Sequence, residues 1–558
     1  MKEEISLLLQ HAITSAVTAG HLQPVGPSPS IVLETPKTAS HGDYSTNIAM
    51  TMAASQNMAP HEIARILIGH IEDSEKALSK IEVAGPGFIN FFVAQHRWYE
   101  KLKAIHDEDE AYGSSNTGLR KRVQIEFVSA NPTGPLHVGH GRCAAVGETL
   151  SAILKAAGYE VQKEYYVNDS GRQIRTLGES MFVRYQQLLG KTVDLSGDGY
   201  QGDYIIDLAR KLLDTEGERL LNIAEEQAVA LCAKFAADRI LEEIREDLTA
   251  FGVSFDHWFS EQSLYESGAV QSVIEDCKGQ GSIYEHEGAL WFRTQDFGDE
   301  KDRVVVRANG LTTYFASDIA YHKDKFDRKF ELVIDIWGAD HHGYVSRVSG
   351  SMRALGYDGD RLRVLLVQLV NLLRDGRPVT MSTRAGEFVT LREVIDEVGR
   401  DAARFLFLLR HYESPLDFDL ELAKKQSNDN PVYYVQYVHA RISNILKKAA
   451  ERDYKNMSWD EDFPNLINLP EEIELIKLMA RYPVVVNQSA LLMEPHRIPF
   501  YLKELAGAFH TYYHDRSKHQ VVSSDAQLSA ARIYLVSAIR IIIRNGLALM
   551  GVSAPERM

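Results

Sequence analysis

Apolar residues recur along this chain with two different spacings, and the switches between them divide it into three parts. The first part opens with MKEEISLLLQHAITSAV, whose apolar residues return every third or fourth position and predict a helix. It closes with VAGPGFINFFV, a Gly-Pro turn feeding a strand. HDEDEAYGSSNTG, charged and then Gly/Ser/Asn-rich, reads as a linker. The second part has another texture. VQIEFV, from Val123 to Val128, predicts a strand; GRCAAVGETLSAILKAAG carries helical spacing with Gly158 as its C-cap; VQKEYYVND predicts a second strand. Strand, loop, helix and strand in that order predict a parallel sheet covered by helices. Similar runs return at ELVIDIWGADHHGY and LRVLLVQLVNL, and further strands are expected near Ala289 to Arg307. A charged, helix-rich stretch over about 171–259 reads as an insertion. After Asp419 the strands stop. Asn430 and Pro431 predict a helix start in NDNPVYYVQYVHARI, and helical spacing runs on to Met558. The expected architecture is a small α+β domain over 1–110, an interrupted α/β domain over 111–420 and a helical domain over 421–558.

Composition narrows the class. Hydrophobic residues make up 45% and charged residues 25% of the 558, the mix of a folded globular chain, which excludes a collagen-like, disordered or disulfide-dense protein. Cys143, Cys232 and Cys277 show no CxxC spacing, so neither a disulfide framework nor a zinc site is expected, and a reducing cytoplasm fits. The N-terminus lacks the basic start and cleavage site of an export signal. IYLVSAIRIIIRNGLALMGV is strongly apolar, but Arg540 and Arg544 fall on one helix face. It reads as a buried amphipathic helix, and no membrane association is expected. Lys plus Arg is 61 and Asp plus Glu 77, a net charge of −16. That argues against a nucleic-acid coat but not against RNA binding through a locally positive surface.

The segment EFVSANPTGPLHVGHGR, Glu126 to Arg142, joins a strand end to a helix start. Open α/β sheets bind ligands at that edge, and a helix start offers unpaired N–H groups to phosphate. Gly139 and Gly141 allow close backbone approach. His137 and His140, three apart, can face one ligand, and an imidazole can donate to a phosphoryl oxygen. The spacing is wrong for a metalloprotease zinc site. The plainer alternative is a pair of capping or core histidines. In TTYFASDIAYHKD, Tyr314 and Asp318 lie four apart and share a helix face.

HVGH resembles the HIGH signature of class I aminoacyl-tRNA synthetases, and its flank SANPTGPLHVGHGR is similar to the bacterial arginyl-tRNA synthetases in particular. TMSTR, Thr380 to Arg384, resembles a degenerate KMSKS signature. HGDYSTNIAM, YFASDIAY, WGADHHGY, YVQYVHARI and the terminal GVSAPERM extend the resemblance over nearly the whole chain in the family's order. The resemblance implies an arginine–tRNA ligase that forms arginyl-adenylate from ATP and then charges tRNA(Arg). It implies an N-terminal domain (1–110) meeting the outer corner of the tRNA, a Rossmann-like catalytic domain (111–420) and an anticodon-binding helical bundle (421–558). It marks Ala130, Asn131, Pro132, Thr133, Gly134, Pro135, Leu136, His137, Val138, Gly139 and His140 as the signature segment. Catalysis falls to His137, His140 and Arg384. The last is offered because Thr380 and Thr383 stand where the signature has lysines and Gly134 supplies no substitute; a surface ion pair is its alternative. Glu126, Ser129, Asn131, Tyr314 and Asp318 match arginine-binding positions. Gly139, Gly338, Asp340, His341, Met381 and Ser382 match ATP-binding ones, with Mg²⁺ arriving on the ATP phosphates and no dedicated metal site. Tyr434, Tyr437 and Met558 match the anticodon pocket, although two tyrosines at helical spacing also fit a core stripe. FHTYYHDRSKH, Phe509 to His519, is a second basic-aromatic cluster of open role. Bound tRNA is expected to precede arginine activation, in a monomer. Two competing readings are another class I synthetase or nucleotidyltransferase, and a synthetase-like RNA-binding protein that has lost catalysis.

Overall fold

In the computed structural model, residues 1–24, 29–379, 389–452, 454, 458–515 and 517–558 are described. The strand–loop–helix–strand pattern becomes a five-stranded sheet. Its strands are β1 (Arg122–Phe127), β2 (Glu160–Val167), β3 (His257–Ser260), β4 (Leu332–Gly338) and β5 (Leu362–Val367). All neighbours are parallel, in the order β5-β4-β1-β2-β3. The chain builds outward from β1 through β2 and β3, then returns to the other side for β4 and β5. The order reverses between β1 and β4, and a crevice opens there at the carboxyl ends of the strands. Val123, Ile125 and Phe127 of β1 are fully buried on one face. The other face carries Gln124 and Glu126, which are buried too and bonded to Glu164 (2.6 Å) and Lys325 (2.5 Å). Helix α1 (Val138–Ala156) covers β1 closely because Gly147 has no side chain: a Cβ there would stand 2.2 Å from the Phe127 ring.

Sequence and structure part at two places. The helix-rich stretch over about 171–259 contains three helices, Gly171–Leu188, Asp203–Glu216 and Glu225–Ala250, but its last residues belong to the edge strand β3, whose four residues are too few to show a period. The single apolar run LRVLLVQLVNL splits into β5 and a strand Val370–Arg374, which leaves the main sheet and pairs with Arg377–Pro378 and Leu416–Asp419. Near Ala289 to Arg307 stands an antiparallel sheet of Ile283–His286, Ala289–Phe292 and Arg303–Val306. It precedes helix α2 (Tyr314–Asp327), which leads into β4. Asn430 caps helix α3 (Pro431–Ala450), its side chain accepting the Val432 N–H. Helix α4 (Arg497–His514) follows later.

Contacts group the chain into two units. One holds Met1–Asp109, Tyr454–Ala480 and Gln520–Ala538; the other holds Glu110–Asp453, Arg481–His519 and Ile539–Met558. In the first, a hairpin of Leu78–Ala84 and Phe88–Val93 pairs with Tyr44–Thr46, and Asp43 of the HGDYSTN segment accepts the Val93 N–H (2.8 Å) and meets Lys477 (2.7 Å). Among the described residues Ala526–Leu549 is the one helix long and apolar enough to cross a membrane, and 67% of its most apolar window is buried, as in a core helix.

Candidate active site

After Phe127 the backbone turns with Val128 at φ 69° and Ser129 at φ 40°, the left-handed region that a β-branched residue rarely adopts. Such strain costs about 1–3 kcal/mol and persists where surroundings enforce it. Here the Ser129 hydroxyl donates to Glu126 (2.9 Å) and accepts the Tyr166 N–H (3.1 Å), and the Ala130 carbonyl accepts from the Tyr165 hydroxyl (2.8 Å). The Asn131 amide donates to Gln173 (2.6 Å). The chain then enters α1 with His137 as N-cap. His137 Nδ1 accepts the Gly139 N–H (3.1 Å), and His140 Nδ1 accepts the His137 N–H (3.2 Å). The two rings stack with centroids 3.7 Å apart. Burial lowers both imidazole pKa values, that of His140 to about 3, so both rings are neutral at physiological pH. With each Nδ1 accepting, each ring carries its proton on Nε2. The capping alternative therefore holds, and the same histidines also line the cavity described next.

A cavity of about 890 Å³ occupies the crevice. Three carboxylates reach it from the β1–β2–β3 side. Glu126, on β1, is bonded to the fully buried Lys325, which also meets Asp335 (2.7 Å). Asp318, one turn into α2, accepts from the Tyr344 hydroxyl (2.5 Å). Burial raises its pKa to about 6, against that hydrogen bond. Glu261, directly after β3, accepts from Ser317 (2.7 Å) and Ser170 (2.9 Å) and is 1% exposed. Among the described residues neither Asp318 nor Glu261 is paired with a lysine or arginine. Buried carboxylates without a cation are costly unless a ligand supplies one. Tyr314 stands half-exposed at the start of α2 and lines the same end, as do Ser129 and Asn131.

The β4–β5 side is different. Gly338 ends β4 and opens the short 3₁₀ helix Ala339–Tyr344, which puts Asp340 and His341 at the cavity edge, both largely exposed and 3.6 Å apart. Val367 to Val370 complete that wall. Thr380, Met381, Ser382, Thr383 and Arg384 lie outside the described residues. Beyond them Thr390 pairs with His137 as an isolated bridge, and the Leu391 N–H donates to the Leu136 carbonyl (2.7 Å). The cavity thus joins an acidic end to an end built of a helix start, glycines and neutral imidazoles.

Tyr434 and Tyr437 on α3 are half-buried rather than core, with His510 of α4 against both rings (4.5 and 5.9 Å). Arg441 lies over the Tyr513 ring (4.9 Å). The second basic-aromatic cluster therefore packs its His510 and Tyr513 onto α3, while Phe509 and Tyr512 are buried. Met558, 52% exposed, lines a separate groove of about 570 Å³ with Tyr433 and Gln436. Sequence reasoning missed Glu261 and Tyr344. Glu261 follows a strand too short to read, and its only signal is an acid just past a strand end.

Three family models match the chain: the arginyl tRNA synthetase N terminal domain over residues 3–93, the tRNA synthetases class I (R) catalytic domain over 101–408, and the DALR anticodon binding domain over 435–558. The arginine–tRNA ligase of Desulfosudis oleivorans is 56% identical over 560 residues, and that of Geobacter sp. strain M21 52% over 559; each match covers 100% of both chains. A putative arginyl-tRNA synthetase from Campylobacter jejuni superposes with a TM-score of 0.76 at 35% identity, covering 84% of this chain and 100% of the other. The Thermus thermophilus arginyl-tRNA synthetase superposes with a TM-score of 0.78 over 99% of each chain; at 23% identity it shares the fold. With full-length identity at this level and a catalytic-domain model spanning more than half its residues, the chain belongs to the arginyl-tRNA synthetase family.

Proposed function

We propose that the two ends of the cavity divide the substrates of this arginine–tRNA ligase between them. The chain activates arginine and charges tRNA with it, as its full-length relatives and class I catalytic domain show. The acidic end takes the guanidinium: Asp318, Glu261 and Glu126 face it, with Tyr314, Ser129 and Asn131 around the rest of the amino acid. A guanidinium is planar, always protonated and suited to carboxylate forks, which a lysine ammonium fits poorly. The carrying observation is that Asp318 and Glu261 have no lysine or arginine partner among the described residues. The other end takes ATP. The α1 start with Gly139 receives phosphate, Gly338, Asp340 and His341 border the adenosine, and Met381 and Ser382 belong to the same subsite. The arginine carboxylate attacks the α-phosphorus and pyrophosphate leaves. Neutral His137 and His140 donate to the phosphoryl oxygens as charge builds, and Arg384 supplies the positive charge that Thr380 and Thr383 do not. A terminal ribose hydroxyl of the tRNA then attacks the activated carbonyl. Positioning of this kind is worth ~7–11 kcal/mol.

Among the described residues Asp340 is the one carboxylate bordering the phosphate end, exposed to solvent. A single acid fits Mg²⁺ that arrives on ATP phosphates rather than a protein cage. Tyr434, Tyr437 and Met558 receive anticodon bases, supported by the half-buried tyrosine rings against His510. We take the enzyme to act as a cytoplasmic monomer off the membrane, with tRNA bound before arginine is activated. The test is ATP–pyrophosphate exchange with arginine, lysine or no amino acid, each with and without tRNA(Arg). Exchange with arginine and tRNA together is expected. Equal exchange with lysine would contradict the guanidinium subsite, and strong exchange with arginine alone would contradict the tRNA requirement.

A further inference from the structure

Two guanidiniums in the unit that holds the parallel sheet are fully buried with no carboxylate partner among the described residues, Arg142 and Arg404. Each is bonded to main-chain carbonyls instead, with Arg142 Nε and Arg404 Nη2 left without a partner among the described residues. Arg404 holds the carbonyls of Met550 (2.7 Å), Phe251 (3.0 Å) and Gly252 (3.2 Å), none of which borders the cavity. Arg142 sits on α1 two residues beyond His140 and holds those of Gln368 (2.8 Å), Ser414 (2.8 Å) and His411 (3.0 Å). Gln368 does border the cavity. Backbone bonds reinforce the same junction: the Gln368 N–H donates to the Tyr412 carbonyl (2.8 Å) and the Leu416 N–H to the Leu369 carbonyl (3.1 Å).

From this we infer that Arg142 is a positioning residue for the ATP subsite, fixing the Gln368–Val370 wall to the signature helix through the turn His411–Ser414. The inference rests on the assignment of the β4–β5 side to ATP. Its physical basis is geometric. Residues 368 and 369 connect β5 to a strand of another sheet that begins at Val370, so neither sheet alone fixes their height above the His137–His140 turn. One planar, multi-pronged donor anchored on α1 does so, and it does so through main chain, leaving the side chains of that wall free to vary. Burial without a counter-ion among the described residues lowers the Arg142 pKa to about 10, so the group remains a cation at neutral pH and the three carbonyls solvate its two terminal nitrogens. The arginine subsite draws on β1, β2, β3 and α2, and among the described residues the Arg142 guanidinium bonds only to Gln368, Ser414 and His411.

The test compares Arg142→Lys with Arg404→Lys in the full-length enzyme with saturating tRNA(Arg). It reads the KM for ATP, the KM for arginine and the melting temperature. Lysine keeps the charge but cannot bridge three carbonyls in a plane. Both variants are expected to melt earlier. Only Arg142→Lys should raise the ATP KM, by about tenfold, the weight of one lost charged hydrogen bond. Its arginine KM should stay within about twofold of the parent. An unchanged ATP KM, an equal rise in both KM values, or the same ATP effect in Arg404→Lys overturns the inference. If Arg142→Lys does not fold, Pro415→Gly replaces it. Pro415 is exposed and restricts the backbone of Ser414, so its loss frees the gripped carbonyl. A selective rise in ATP KM of about threefold is then expected, and no rise overturns the inference. Gly338→Ala separates this from the underlying assignment: if it raises the arginine KM and not the ATP KM, the ATP subsite itself is misplaced.

Discussion

The two ends of the cavity are held by different means. At the acidic end every carboxylate is fixed by other side chains: Glu126 by Ser129 and Lys325, Glu261 by Ser317 and Ser170, Asp318 by Tyr344. At the phosphate end the fixing groups are largely main chain: the N–H groups of α1, the Leu136 carbonyl, the Thr390 bridge and the Gln368 carbonyl gripped by Arg142. Amino-acid selection needs particular charged atoms, so single substitutions there should strike one substrate. Phosphate binding uses backbone amides that every residue has, so single substitutions should act there only where a side chain caps, donates or clamps.

The largest effect that sharpens this contrast is expected at His140. His140→Ala removes a donor to the reacting phosphate, and the loss of such a donor costs about 10²–10³ in kcat. Pre-steady-state adenylate formation should show it, with tRNA affinity nearly unchanged; an unaltered rate in folded protein would make His140 a cap and nothing more. Glu261→Gln keeps the shape and removes one unpaired charge. It should weaken arginine by about 1.5–3 kcal/mol, the range for hydrogen bonds to charged groups, and leave the ATP KM alone. Equal shifts in both would show that the acidic end is not specific to the amino acid.

Away from the cavity, Tyr437→Ala should weaken tRNA binding by about 1–3 kcal/mol, the value of one stacked base, and lower exchange only at subsaturating tRNA. Unchanged affinity in filter binding would return Tyr437 to a packing role.

The pH dependence should also separate the ends. Asp318 has a pKa near 6, so it is ionised at pH 7.5 and progressively neutral below 6. Arginine affinity should be full above that value and fall by up to about tenfold per pH unit below it. The ATP KM should not follow, because His140 titrates near 3. Folding stability runs the other way. The folded pKa lies above the ordinary 3.8, so the neutral acid's contribution is present below pH 3.8 and lost as pH rises through 6. Asp318→Asn should therefore melt later than the parent at pH 7.5 without ligands, by up to about 3 kcal/mol. Earlier melting would mean that Asp318 has a cation partner in solution.

Much of this was legible in the sequence, where a feature is local. Asn430 and Pro431 start α3 because capping is read from adjacent residues. β1, β2 and β4 carry enough apolar residues to show themselves, and the signature segment places His137 and His140. What could not be read depends on distant partners. β3 is four residues whose strand state comes from pairing with β2. LRVLLVQLVNL looks like one run, because nothing in it records that two sheets share it. Glu261 is an unremarked acid until β3 and α2 bring Ser317 and Asp318 beside it. Arg142 was visible as the last letter of the motif, but its three carbonyl partners lie more than two hundred residues away.

The division of the cavity is tested most directly by Asp318→Asn, with KM measured for arginine and for ATP in tRNA-dependent exchange at pH 7.5. Removing one partner of a buried charged hydrogen bond costs about 2–5 kcal/mol. This loss should fall on the arginine KM, with the ATP KM within about twofold of the parent. Equal changes in the two would contradict it.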